Sequence, residues 1–265
     1  MMKSLVGMLL LLVACPLYVK AELPSLRIAL VQAGLVWGDV DANLTAFDKR
    51  VKECGKCDLI VFPELFTSGC EMKKGDREKS LQQKDEVALR FDSIVSVMQH
   101  WAARTGALVV GSTIYKEDGR YYNRLIAAYP DGRWDYYDKH NCFKKGIFSP
   151  GTERLIVNWK GWRLATFICY DLRFPDWSRS NGAYDAALYI ANLPQSRAAD
   201  WQRLLAERAM ENAVFVVGVN CVGTDPAGLV YQGGSCIVCP LGNVVARCQD
   251  DKEEVLTVEV GGQDF

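Results

Sequence analysis

The sequence predicts a single α/β domain, and three observations lead to this prediction. Short β-rich runs recur along the chain, stretches with helical periodicity lie between them, and no internal repeat, low-complexity segment or Pro/Gly/Ser-rich linker divides the 265 residues. A chain of this length can bury a large core. Its composition, 49% hydrophobic and 24% charged, is typical of a soluble globular protein.

Eight runs are predicted to be β-strands because they are rich in apolar, β-branched and aromatic residues. Several of them, such as "DLIVF" at 58–62, are apolar at nearly every position, which is typical of sheets that are covered on both faces. Two hairpins are predicted at 129–134 ("YPDGRW") and 239–245 ("CPLGNVV"), where turn residues lie between strand-like flanks. The eight runs span 26–32, 58–62, 107–115, 124–129, 163–169, 186–192, 214–220 and 255–260.

Three stretches between these runs are predicted to be helices, over residues 42–53, 86–105 and 200–213. Asp200 is the predicted N-cap of the third, because a short polar side chain there can accept from the first free backbone amides. The apolar residues of this third stretch recur three and four positions apart, as on one face of a helix. They are Trp201, Leu204, Leu205 and Ala209.

The charge balance argues against a nucleic-acid partner. The chain has 31 basic and 32 acidic residues, for a net charge of -1. No cluster of basic residues stands out that would follow a phosphate backbone. We therefore expect no nucleic-acid partner.

Residues 1–21 differ from the rest of the chain. The apolar run at 5–14 is shorter than the ~20 residues of a membrane span but fits the core of a signal peptide. "LVAC" at 12–15 resembles a lipoprotein processing box with Cys15 as the lipidated residue, whereas "VKA" at 19–21 offers small residues to a signal peptidase. A start assigned too early, ahead of a cytoplasmic domain, is the third interpretation. The sequence leaves export, a lipid anchor and the cytoplasm open.

Ten cysteines raise the question of a metal site. "CGKC" at 54–57 and "CIVC" at 236–239 each have the two-residue gap of a zinc knuckle. If "SCIVC" is a strand, however, Cys236 and Cys239 lie on opposite faces, because side chains alternate with period two. Two ligands that point apart cannot bind one ion, so the sequence predicts buried thiols and no metal.

Two charged residues follow predicted strands. Glu64 ends the segment "VFPE" at 61–64, and active sites of α/β sheets lie at the carboxyl ends of strands, so Glu64 is placed to act as a general base. Lys139, in "YYDKHNCF" at 136–143, has apolar neighbours; a lysine sheltered in this way beside a carboxylate stays charged and stabilises a nearby anion. The alternatives are a glutamate that caps the next helix and an ordinary surface lysine.

Cys169 ends the strand-like run "RLATFIC". A thiol at a junction of strand and turn, followed by a residue whose amide can face a developing oxyanion, matches the elbow of acyl-transfer nucleophiles. The thiol needs a base and a positive neighbour, because its reference pKa of ~8.5 leaves it mostly protonated. Glu64 and Lys139 supply these roles. A Cys–His pair using His140 lacks an evident group to orient the imidazole.

Several motifs together identify a family. "VFPELFTSG", "YYDKHN", "CYDLRFPDWSR" and "LLAERAMENAVFVVGVN" resemble the nitrilase superfamily of carbon-nitrogen hydrolases, over roughly residues 26–260. "GTERLIVNWKGWR" with the cysteine motif is most similar to the omega-amidase branch, whose members hydrolyse the terminal amide of dicarboxylic acid monoamides such as 2-oxoglutaramate. The resemblance implies a four-layer α-β-β-α sandwich over residues 22–265, a homodimer paired through the face with the cysteine elbow, and no metal or organic cofactor.

The resemblance also implies roles for individual residues. Cys169 would be the nucleophile, Glu64 its base and Lys139 the cation that stabilises the oxyanion, with help from the backbone N–H of Tyr170. Arg173 is a candidate for binding a substrate carboxylate, because guanidinium matches carboxylate in a two-pronged geometry. The alternative for Arg173 is a structural ion pair with Asp171 or Asp176.

One departure from the family pattern bears on activity. Relatives carry a longer loop after the lysine with a second glutamate, whereas the segment from Lys139 to Gly151 holds no acidic residue and includes Lys144 and Lys145. Two alternatives to an omega-amidase therefore stay open. One is a catalytically impaired member that serves as a binding or assembly protein, and the other is an amidase or nitrilase with a different small substrate.

Overall fold

The computed structural model describes residues 22–69, 77–143 and 147–261. Predictions about the leader at 1–21, Cys15, Lys144 and Lys145 fall outside this range. The described α-helices are α1 (Val40–Glu53), α2 (Arg77–Ala88), α3 (Phe91–Thr105) and α4 (Ala198–Asn212), with 3-10 helices at Cys169–Arg173 and Gln195–Arg197. The described strands are β1 (Leu26–Gln32), β2 (Leu59–Val61), β3 (Leu108–Glu117), β4 (Arg120–Ala128), β5 (Trp134–Asp138), β6 (Ile156–Trp159), β7 (Trp162–Ile168), β8 (Ala186–Ala191), β9 (Phe215–Asn220), β10 (Val222–Thr224), β11 (Val230–Gln232), β12 (Cys236–Val238), β13 (Val244–Arg247) and β14 (Glu254–Val260).

Two six-stranded sheets form the centre of the molecule. The first has the order β14-β1-β2-β3-β4-β5 and the second β13-β12-β9-β8-β7-β6. Strands β1, β2 and β3 are parallel, as are β7, β8 and β9. Because β4 is antiparallel to both β3 and β5, β5 runs in the same direction as β2. The carboxyl ends of β2 and β5 therefore lie at the same end of the first sheet.

Helices cover the outer face of each sheet, which gives four layers. The aromatic and aliphatic side chains of α1 and α3, such as Phe47 and Trp101, pack on the outer face of the first sheet. Trp201 and Leu205 of α4 pack on the second. A third apolar layer lies between the sheets and excludes water from both inner faces. The central strands β2, β8 and β9 are buried at every position, which explains their nearly continuous apolar sequences. The predicted α-β-β-α sandwich is confirmed.

The predicted elements are confirmed with two differences in the helices. Each of the eight predicted strands overlaps a strand of the structure, and both predicted hairpins are present, as β4–β5 and β12–β13. The predicted helix over 86–105 is in fact broken: α2 ends at Ala88, and α3 begins after Arg90, whose guanidinium pairs with Asp41 of α1. Asp200 as the N-cap of α4 was wrong, because the 3-10 turn at Gln195–Arg197 leads straight into a helix that begins at Ala198.

Six of the eight described cysteines are buried, and the other two, Cys142 and Cys169, are partly exposed. Cys236 faces the α4 layer, whereas Cys239 lies between the sheets, so the prediction that they point apart is confirmed. Cys54 and Cys57 are buried at the end of α1. Within 22–69, 77–143 and 147–261, no three His, Cys, Asp or Glu side chains are grouped as a metal site. No helix in these ranges is long and apolar enough to cross a bilayer.

Candidate active site

The three residues predicted to carry the chemistry meet at one end of the sandwich. Glu64 follows β2, Lys139 follows β5 and Cys169 follows β7. The first sheet therefore contributes the glutamate and the lysine, and the second sheet contributes the cysteine. All three side chains line a cavity of about 250 Å³. This is smaller than the ~300–1,000 Å³ typical of pockets for drug-sized ligands. The cavity therefore suits a small substrate.

Glu64 is held by three donors. Its Oε1 accepts from Lys139 Nζ and from Asn123 Nδ2, both at 2.7 Å, and its Oε2 accepts from the backbone N–H of Asn192 at 2.8 Å. The residue is 5% exposed. Donors on both oxygens fix the orientation of the carboxylate, which is what a general base in a confined site requires.

Lys139 is buried beside this carboxylate. Burial on its own lowers the pKa of the ammonium, but the negative charges of Glu64 and of Cys169 in its thiolate form outweigh it, so the pKa of Lys139 lies above its ordinary value. The lysine backbone is fixed as well, since its N–H donates to Asn123 O and its carbonyl accepts from Gly151 N, both at 3.0 Å. A Cβ at Gly151 would lie 2.2 Å from the Asp138 carbonyl oxygen, so this close approach requires glycine. Lys139 is thus a fixed cation.

Cys169 occupies a strained turn. Its φ of +47° lies in the left-handed region that side chains other than glycine rarely adopt. The residue opens the 3-10 helix Cys169–Arg173 directly after β7. The first amides of such a helix have no partner within it, so the N–H of Tyr170 is free of intrahelical bonds and can donate to an oxyanion. The elbow predicted from the sequence is present.

The electrostatics of the site keep the resting thiol protonated. Burial and the neighbouring Glu64 carboxylate raise the pKa of Cys169 above its ordinary value, and Lys139 offsets this only in part. The Glu64 carboxylate lies beside this thiol and is the predicted base. His140 does not compete for this role: its Nδ1 contacts Gly151 O at 2.7 Å, its ring stacks on Trp177 at 3.6 Å, and it does not line the cavity.

Asp171 ties the cysteine elbow to the lysine segment. Its Oδ2 accepts from the Tyr137 hydroxyl at 2.7 Å and from the Ile168 N–H at 3.0 Å, and its Oδ1 accepts from the Asn141 N–H at 2.8 Å. The side chain is fully buried, and burial raises the pKa of its carboxyl, although Lys139 and these hydrogen bonds oppose the shift. One carboxylate thus sets the position of Lys139 relative to Cys169.

We expect Asp171→Ala to lower the free energy of unfolding by about 3 kcal/mol or more, since each buried donor left without an acceptor costs about 1–3 kcal/mol. Urea denaturation measures this loss. Asp176→Ala is the matched control, because the Asp176 side chain is 93% exposed and pairs only with Arg179 among the described residues; we expect a change within about 0.5 kcal/mol. Equal effects of the two substitutions would contradict the proposed linking role.

Arg173 lines the cavity and carries an ion pair. Its guanidinium pairs with Asp200 of α4, and the Arg173 charge lowers the pKa of that carboxyl. The partners expected for the structural alternative, Asp171 and Asp176, are instead engaged by the elbow and by Arg179. The binding of a substrate carboxylate by Arg173 stays a prediction.

The polar residues of the cavity wall that sequence reasoning missed include Asn123, Asn192 and Arg197. Asn123 lies within β4 next to Arg124, and Asn192 directly follows β8. Only Asn192 interrupts an otherwise apolar run, and that interruption was the available signal. The side-chain Oδ1 of Asn123 and both side-chain polar atoms of Asn192 are buried without a hydrogen-bond partner, so the cavity wall holds spare amide groups for a polar ligand.

Comparison with known proteins agrees with this geometry. A family described as carbon-nitrogen hydrolase matches residues 27–264. The chain is 39% identical to an omega-amidase, YafV, of Yersinia enterocolitica over 89% of this chain and 90% of that one. It is 30% identical to a 2-oxoglutaramate amidase of Bacillus subtilis over 83% and 85%. The crystal structure of XC1258 from Xanthomonas campestris, a CN-hydrolase superfamily protein with an arsenic adduct in its active site, superposes with a TM-score of 0.82 at 35% identity over 89% and 91%.

Proposed function

The chain belongs to the carbon-nitrogen hydrolase family and is an enzyme that acts on amides, and we propose that it hydrolyses the terminal amide of small dicarboxylic acid monoamides through a thioester on Cys169. The products are the dicarboxylic acid and ammonia. The observation that carries the proposal is the contact of Lys139 Nζ with Glu64 Oε1 at 2.7 Å, in the wall of the cavity that Cys169 also lines. The similarity to an omega-amidase and to a 2-oxoglutaramate amidase supports the substrate class.

The first half of the reaction forms the thioester. The Cys169 thiol gives its proton to Glu64 as its sulfur attacks the amide carbon, and the carbonyl oxygen becomes an oxyanion. The Lys139 ammonium and the Tyr170 N–H donate to that oxyanion. When the intermediate collapses, the carbon–nitrogen bond breaks, and protonated Glu64 gives its proton to the departing nitrogen. Ammonia leaves, and the acyl group stays on the sulfur.

The second half repeats these roles with water. Glu64, again a carboxylate, takes a proton from a water molecule as the water oxygen attacks the thioester carbon. The same two donors stabilise the second oxyanion. The carbon–sulfur bond then breaks, the sulfur takes the proton back from Glu64, and the carboxylic acid leaves. The protons balance without a cofactor, because each one moves between Glu64, Cys169, the substrate and the attacking water.

The loop glutamate of relatives is missing here, yet the lysine has support of its own. Glu64 holds the ammonium, Asn123 O and Gly151 N hold the backbone, and Asp171 holds the adjacent Asn141. We infer that these contacts position Lys139 without a second acidic residue. An active enzyme is therefore expected despite the departure from the family pattern.

Ammonia release from purified full-length protein tests the proposal. We expect release from succinamate and from 2-oxoglutaramate, and none from a simple nitrile such as butyronitrile. Release from the nitrile alone would point to a nitrilase, and release from none of the three would favour a non-catalytic binding protein with this fold. Either of these results would contradict the proposed function.

The family resemblance also leads us to propose a homodimer that pairs through the face with the cysteine elbow. The Phe174 side chain, directly after the elbow helix, is 37% exposed, and a partner on this face would cover it. Light scattering on the wild type and on Phe174→Asp measures the oligomeric state. We expect a dimer that the charged substitution weakens, and a monomeric wild type would contradict the proposal.

A further inference from the structure

Two arginines line the cavity, and they differ in whether a carboxylate of the described chain pairs with them. Arg173 is paired with Asp200, which also lies 3.6 Å from Arg203. Its donors are thus directed at a protein carboxylate. Arg197 has no such partner: in the part of the chain that the structure describes, no carboxylate lies within ion-pair distance of its guanidinium. A positive charge that faces a cavity without an acid beside it is available to a ligand.

Arg197 is held in place by an aromatic ring. Its guanidinium carbon lies 4.4 Å from the centre of the Phe143 ring, and Phe143 in turn packs edge-on against Tyr170 at 5.2 Å. A cation–π contact fixes the plane of the guanidinium through its face, so the N–H groups along its edge stay free to donate. The guanidinium is therefore partly immobilised before any ligand binds, which lowers the entropic cost of binding.

The backbone links this arginine to the reaction centre. Asn192, whose N–H binds Glu64 Oε2 at 2.8 Å, and Arg197 belong to one short segment that joins β8 to α4. Phe143 belongs to the segment that follows Lys139, and Tyr170 is the neighbour of Cys169. The chain segments that position Arg197 are therefore the same segments that position Glu64, Lys139 and Cys169.

We propose that Arg197, rather than Arg173, binds the carboxylate of the substrate and so sets the preference for dicarboxylic acid monoamides. The inference rests on the proposed function, since it names the group that recognises that substrate class. With the amide carbon at Cys169, the far carboxylate of a short chain lies along the cavity, where Arg197 donates to it in two-pronged geometry. Arg173 instead neutralises Asp200, which would otherwise repel the substrate carboxylate.

Steady-state kinetics on a matched pair of substrates test this assignment. Succinamate carries the carboxylate, and butyramide has the same chain length without it. For Arg197→Met, which removes the charge and keeps an unbranched side chain, we expect kcat/KM for succinamate to fall about 10- to 100-fold, mainly through KM, as for the loss of charge-assisted hydrogen bonds. The butyramide value should change little. Arg179→Met is the control, because Arg179 is exposed and does not line the cavity.

Several results would overturn the inference. One is a fall in kcat/KM that is equal for succinamate and butyramide in Arg197→Met. Another is a fall in kcat/KM for succinamate alone that occurs in Arg173→Met and is absent in Arg197→Met. Binding of succinamate to Cys169→Ala, measured by calorimetry, separates this inference from the proposed function, because it needs no turnover. We expect Arg197→Met to weaken that binding by the same factor. Two results would contradict the role of Arg197, whether or not the wild type releases ammonia. One is an affinity for succinamate that Arg197→Met leaves unchanged, and the other is no measurable binding to Cys169→Ala itself.

Discussion

Cys169→Ala is expected to abolish amide hydrolysis and leave the fold intact. Removing the nucleophile of a covalent enzyme lowers kcat by up to about 10⁶, because the other catalytic groups then have nothing to act on. The backbone before the elbow is held independently of the thiol, since Asp171 Oδ2 accepts from the Ile168 N–H at 3.0 Å. Ammonia release measures the activity, and urea denaturation with circular dichroism measures the fold.

Cys142 provides the comparison for this experiment. Its thiol lines the same cavity, and burial raises its pKa to about 11, although Lys139 opposes the shift. It lies in a loop rather than at the strained elbow, with its Sγ 3.7 Å from the Lys139 carbonyl oxygen. We expect Cys142→Ser to keep turnover of the same order as the wild type. Turnover retained in Cys169→Ala but lost in Cys142→Ser would transfer the nucleophile to Cys142.

Glu64→Gln is expected to have two opposite effects. Turnover should fall by about 10²- to 10⁴-fold, because the proton transfers in both halves of the reaction lose their base. The pKa of Cys169 should fall as well, since burial and the Glu64 carboxylate raise it and Lys139 lowers it. At a fixed pH below that pKa, a larger fraction of the cysteine is then thiolate. The variant should be less active as an enzyme and more reactive towards an alkylating agent.

The pH dependence of alkylation by iodoacetamide measures this pKa directly. Lys139→Met is the matched substitution of opposite sign, because removing the ammonium takes away the group that lowers the pKa of Cys169. We expect the alkylation profile to shift to lower pH in Glu64→Gln and to higher pH in Lys139→Met. Shifts in the same direction for both variants would contradict the arrangement of charges described here.

The architecture was largely predictable from the sequence because burial leaves a strong pattern. Strands that are covered on both faces read as apolar runs, so β1, β8 and β9 were found almost to the residue. Short edge elements carry little of this pattern. Strands β6, β10 and β11 were not predicted, and neither was the break between α2 and α3 at residues 89–90.

The candidate site was predictable only in part, for a similar reason. Glu64, Lys139 and Cys169 follow strands or belong to recognisable motifs, so their types and positions pointed to acyl transfer. The partners of the two cavity arginines depend on how α4 packs against the elbow, and no local pattern encodes that packing. The sequence therefore drew attention to Arg173, whose charge is matched by Asp200, and passed over Arg197.

The thioester on Cys169 is the central claim, and trapping it is the most direct test. The enzyme is quenched in acid during turnover of succinamate, digested, and analysed by mass spectrometry for a peptide that carries the acyl group of the substrate. We expect this adduct on the Cys169 peptide, its release by hydroxylamine as the hydroxamate, and its accumulation only while substrate remains. Steady ammonia release with no adduct, or with the acyl group on Cys142, would contradict it.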